Sequence, residues 1–137
     1  MSIENDPHRD PSSQGVRVLV VDDHPHILQT LSRLLRICGF EVMTASDGRV
    51  ALEIAAEFRP RFVLLDIGLP IWDGYEVARR LRAEAGLEST TLIAVTAYGA
   101  EEDRQRSREA GFDGHLVKPI APGELLELLS RTEAVDS

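Results

Sequence analysis

Residues 61–66 read RFVLLD: four consecutive apolar side chains, Phe62 to Leu65, closed by Asp66. A strand with one wet face alternates apolar and polar residues. An unbroken apolar run, here Phe62 to Leu65 within the segment Arg61 to Leu65, marks a strand covered on both faces. The form recurs on either side. Val16 to Val21 (VRVLVV) leads into Asp22-Asp23, Thr91 to Val95 (TLIAV) into Thr96, and His115 to Val117 (HLV) into Lys118. Glu41 to Ala45 (EVMTA) is a fifth, more polar run.

The segments between these runs have helical spacing. Ile27, Leu31, Leu34, Leu35 and Cys38 form one stripe of a first helix, which Gly39 stops. A second helix covers Gly48 to Phe58, with Asp47 as its N-cap and Pro60 beyond its end. Asp73 caps a third, running to about Ala85 before Gly86, with Glu76 placed to pair with Arg79 and Arg80. A fourth, Ala100 to Ala110, is almost wholly polar and offers only alanines to a core, so it packs weakly. A fifth spans Pro122 to Arg131, leaving 132–137 as a short tail. Residues 1–15 are polar, carry two prolines and read as a flexible leader. Five strands alternating with five helices make an α/β domain on a parallel sheet, here 16–131.

Composition narrows the function classes. The 137 residues carry a net charge of −8, which repels phosphate backbones and argues against binding to nucleic acid or an anionic membrane surface. One cysteine, Cys38, excludes an internal disulfide and a cysteine-based zinc site. No signal pattern and no run near the roughly 18 residues of a membrane span is present, so a cytoplasmic domain is expected. Of 15 basic residues, Lys118 alone is lysine. A GC-rich genome explains the arginines; a lysine that survives such bias marks a place where a compact ammonium is needed.

In open parallel sheets, ligands bind at the carboxyl ends of the strands. There the sequence places Asp22, Asp23, Asp66, Thr96 and Lys118. A lone Asp after a strand is usually a cap or turn residue, and Asp47 and Asp73 are read that way. Three carboxylates converging on one edge repel one another unless cations join them. Lys118 supplies one charge. Mg²⁺, which binds few carboxylates and keeps waters, is the natural second. The set suits stabilisation of a phosphoryl group in transfer.

VLVVDDHP, FVLLDIGLPIWDGYEVARRLR, LIAVTAYG and GHLVKP resemble, in order and spacing, the blocks of the two-component response-regulator receiver domain, from about Val16 to Leu129. The resemblance implies a doubly wound, flavodoxin-like sheet of order 2-1-3-4-5. By position, Asp66 resembles the phospho-acceptor. Asp22 and Asp23 resemble the acidic pair that holds Mg²⁺ together with Asp66 and the backbone carbonyl of Gly68. Thr96 and Lys118 match the residues that contact phosphoryl oxygens, and the Lys118–Pro119 bond matches one that is cis in the family. A sensor histidine kinase or phosphotransfer protein is the implied donor. A protein target reached through helix 4, strand 5 and helix 5 is the implied output, from a monomer or weak homodimer.

Three positions depart from the family pattern. His115 stands where an aromatic switch residue is usual, either as a flat filler or as a weakened, pH-sensitive switch. Gly68 replaces a larger polar residue. Ala121 stands where a capping residue is common. Gly68 and Tyr98 flank the approach of a hydrolytic water, and a Tyr98 ring turned inward would lengthen the lifetime of the phosphoryl group.

A stand-alone receiver is the first expectation, because a leader begins at Met1. A receiver excised from a hybrid histidine kinase is the alternative, on the wording LDIGLP and GFDGHLVKP. An aspartate-nucleophile phosphatase is a reading from another class. Such enzymes usually carry an acid two residues beyond a nucleophile after the first strand, and His24 fills that place. Asp23, Asp66, Thr96 and Lys118 together argue against an unphosphorylated scaffold. The protein is therefore expected to handle only its own phosphoryl group and not to be an enzyme.

Overall fold

A computed structural model of the chain describes residues 15–97 and 101–136, with side chains for 15–97 and 105–130. Strands and helices alternate throughout: β1 Arg17–Val21, α1 Pro25–Ile37, β2 Glu41–Ala45, α2 Gly48–Phe58, β3 Phe62–Asp66, α3 Gly74–Ala83, β4 Thr91–Thr96, α4 Glu101–Ala110, β5 Gly114–Val117 and α5 Pro122–Asp136. All pairings are parallel and the strand order is β2-β1-β3-β4-β5. This is the doubly wound, flavodoxin-like arrangement.

The unbroken apolar runs are buried on both sides, and their residues divide by parity, as successive strand side chains must. Leu19, Val21, Val63, Leu65, Leu92 and Ala94 face α2 and α3, against Ala51, Ala55, Val77, Ala78 and Leu81. Val18, Val20, Phe62, Leu64, Ile93 and Val95 face α1 and α5, against Leu31, Leu35, Leu125 and Leu129.

Register aligns the strand ends. Val21 lies beside Leu65, so Asp22 and Asp66 emerge as neighbours. Asp66 lies beside Val95 and Thr96 beside Val117, which brings Thr96 and Lys118 to the same edge. Asp47 and Asp73 are caps: Asp47 Oδ1 accepts from Val50 N at 2.9 Å and Asp73 Oδ1 from Glu76 N at 3.0 Å. Gly39, at φ 104°, turns the chain after α1 in a conformation only glycine adopts readily.

Two boundaries and one packing detail differ from the sequence reading. The third helix stops at Ala83, with Glu84 as its C-cap. The fifth runs on to Asp136, so 132–136 are helical and not a separate tail. The fourth buries Ser107 as well as Ala110, so its contact with the core is not made by alanine alone. The proposed leader, apart from Gly15, and Tyr98 lie outside the described residues.

A residue the sequence reading passed over ties two loops together. Arg82, on α3, donates to the carbonyls of Leu87 (2.6 Å), Thr90 (2.7 Å) and Gly111 (2.8 Å) and to Asp113 Oδ2 (2.7 Å). Asp113 Oδ2 also accepts from Leu92 N at 2.9 Å, so the clamp reaches the start of β4.

Candidate functional site

Asp22 and Asp66 are 3% and 5% exposed, burial that carboxylates tolerate only with partners. Each oxygen of Asp66 has one. Oδ1 accepts from Gly68 N at 2.9 Å, and Oδ2 from the Lys118 ammonium at 3.2 Å. The same ammonium stands 3.2 Å from Asp22 Oδ2 and bridges the two carboxylates. Burial, the largest single influence, pulls the Lys118 pKa down. The hydrogen bond to Asp22 and the charges of Asp66 and Asp22 together outweigh it and hold the group above its ordinary value. Lys118 is thus a fixed cation at neutral pH. The backbone ties Lys118 to the end of β4, where Lys118 N donates to Thr96 O at 2.8 Å; the Lys118–Pro119 bond is cis.

Thr96 ends β4, buried, one residue beyond the neighbour of Asp66. Gly68 forms the turn after β3; a Cβ there would lie 3.5 Å from Asp66 Oδ1, an ordinary contact. Gly74 is more constrained. A Cβ on it would come within 2.6 Å of Ile67 Cα and 2.8 Å of Asp66 O. Only glycine lets α3 start so close beneath the loop that follows Asp66. His115 sits half-buried on β5 beside Ala94, with both ring nitrogens shielded from solvent.

The structure adds one side chain that the sequence reading used only to exclude a phosphatase. His24 Nδ1 lies 2.8 Å from Asp22 Oδ1 and 3.3 Å from Asp23 Oδ1. The hydrogen bond to Asp22, then the charge of Asp23, raise its pKa above 6.5. Asp22, Asp23, His24 and Asp66 each place a donor atom within 4.8 Å of the others. Three carboxylates against one ammonium leave an excess of two negative charges. Hard oxygen donors with that excess suit a divalent cation such as Mg²⁺.

The comparisons with known proteins bear on this edge of the sheet. The family model described as "Response regulator receiver domain" matches residues 18–130. The chain belongs to that family. Among curated relatives, the transcriptional regulatory protein PrrA of Mycobacterium leprae is 42% identical over 126 residues, 92% of this chain and 52% of its own length. This receiver therefore spans about half the length of the curated relatives it matches. Among solved structures, the chemotaxis protein CheY4 of Vibrio cholerae superposes with a TM-score of 0.82 at 35% identity, covering 85% of this chain and 98% of its own. The receiver domain of the sensor histidine kinase PA1611 of Pseudomonas aeruginosa gives 0.79 at 32% identity, covering 88% and 98%. That structure holds a magnesium ion coordinated in its active-site cleft. Among the described residues of this receiver, no helix is long and apolar enough to cross a membrane.

Proposed function

We propose that this receiver accepts a phosphoryl group on Asp66 from the phosphohistidine of a sensor kinase or phosphotransfer protein. The observation that carries the reading is the environment of Asp66. It is a buried carboxylate with an ammonium at 3.2 Å on one oxygen, a backbone N–H on the other, and two further carboxylates beside it. A carboxylate oxygen attacks phosphorus, the P–N bond breaks, and the imidazole departs with the electron pair. Lys118 meets the charge carried in by the phosphoryl oxygens, and the Thr96 hydroxyl donates to one of them. Gly68 N orients the carboxylate from the side away from Lys118.

Asp22, Asp23, Asp66 and the Gly68 carbonyl would hold Mg²⁺, which when bound would supply positive charge beside the three carboxylates as an anionic donor approaches. The protein turns over only its own acyl phosphate and acts on no small phosphate ester. Its output is contact with a protein target through α4, β5 and α5, in the cytoplasm. A net charge of −8 argues against DNA as a partner of the receiver itself.

Incubation with acetyl phosphate and Mg²⁺, read by intact mass, tests the acceptor. The parent gains one phosphate and Asp66→Asn gains none. An Asp66→Asn protein labelled at the parental rate overturns the assignment.

A further inference from the structure

We propose that His24 is a ligand at this edge and that it gives the cation site affinity for imidazole-binding divalent metals, from Co²⁺ to Zn²⁺, beyond its affinity for Mg²⁺. The inference rests on the reading that Asp22, Asp23 and Asp66 hold a divalent cation. The geometry carries it. His24 Nδ1 is not turned to solvent but lies 2.8 and 3.3 Å from one oxygen of each member of the acidic pair. Two donors on one ion at about 2.0–2.2 Å stand no more than about 4.3 Å apart. The four donors here lie within 4.8 Å, so about half an ångström of closure brings all of them onto one ion.

Lys118 does not compete for the same space. It holds Asp22 through Oδ2, whereas His24 lies on Oδ1. Lys118 and His24 thus meet Asp22 on opposite oxygens. The ring is 52% exposed and makes no capping bond to α1, so it can adjust without disturbing the helix. The Nδ1 proton that Asp22 accepts leaves when a metal binds, and the ring is then the Nε2–H tautomer with its Nδ1 lone pair on the ion. Imidazole contributes little to Mg²⁺ binding and much to Co²⁺, Ni²⁺ or Zn²⁺. His24 therefore separates these metals where oxygen donors alone separate them less.

The test uses tag-free full chain and titration calorimetry with MgCl₂ and NiCl₂. His24→Gln should lose roughly tenfold or more in Ni²⁺ affinity and less than about threefold in Mg²⁺ affinity. His26→Gln, which changes the next ring along α1, should move neither. With Co²⁺ bound, proton NMR of the parent should show one exchangeable ring N–H far outside the diamagnetic range, absent in His24→Gln. An unchanged ratio of Ni²⁺ to Mg²⁺ affinity in His24→Gln, with Mg²⁺ binding intact, overturns the role of His24 alone. Failure of the parent to bind either metal overturns the cation site as well.

Discussion

Ile71 sits in the loop after β3 with φ 68° and 97% of its surface exposed. The left-handed region costs a residue with a Cβ about 1–2 kcal/mol, and a β-branched side chain is among the worst fitted to it. Exposure this complete leaves no packing to offset the strain. Such strain collects at functional loops, and this one joins Asp66 to α3. Ile71→Asn, which tolerates the conformation, should raise stability by about 1 kcal/mol in urea unfolding. A variant no more stable than the parent would show that the loop relaxes at no cost. Gly74→Ala should do the opposite, because its Cβ meets backbone at 2.6 Å and pushes on the carbonyl of Asp66 itself. At this scale, Asp66, Thr96 and Lys118 were legible because each closes an apolar run. Gly74 and the inward turn of His24 were not. A missing Cβ and a side-chain rotamer leave no periodicity to read.

In α3, the cap and the first turn were legible, since Asp73 and Glu76 stand at the spacing their roles require. Glu76 pairs with Arg79 at 3.1 Å and with Arg80 at 2.9 Å, while Arg80 lies 3.9 Å over the Trp72 ring. The hydrogen bond from Arg79, then that from Arg80, hold the Glu76 carboxyl below its ordinary 4.5. A depressed folded-state pKa contributes stability that is present above the unfolded value and is lost as pH falls through the folded one. Glu76→Gln should therefore be less stable than the parent at pH 7. Denaturant midpoints should converge as pH falls below 4.5. A gap that persists at low pH would assign the effect to the side chain's packing. Arg82 escaped the sequence reading because, Asp113 apart, its partners are backbone carbonyls, and a carbonyl has no residue identity. Truncation in Arg82→Ala leaves those carbonyls and Asp113 without their cation and should cost about 2–3 kcal/mol.

Over the whole molecule, the helices are anchored very unequally. α1 buries Leu31 and Leu35 and rests Ile27, Leu28 and Leu34 on the same core. Each fully buried leucine contributes about 1.5–3 kcal/mol relative to exposure. Among the described side chains of α4, Ser107 and Ala110 are the buried ones. Its other ties are polar or aromatic. Arg106 lies over the Tyr75 ring at 4.2 Å, and the Arg82 clamp holds the Gly111 carbonyl just beyond the last turn. The clamp fixes the C-terminal end of α4, so opening should begin from the other end. That end leads back toward Thr96, where a phosphoryl group on Asp66 would be felt. An element released at low free energy next to the site is what a switch requires. Hydrogen exchange read by mass spectrometry in the unphosphorylated protein checks this. Peptides from 101–110 should exchange at least about tenfold faster than those from 25–37, the ratio that 1.4 kcal/mol of anchoring difference produces. Arg82→Ala should extend the fast exchange through the last turn of α4 and leave α1 unchanged. Equal protection of the two helices in the parent would mean that α4 is held by more than its buried side chains, and the mobile element would have to be sought elsewhere on the sheet edge.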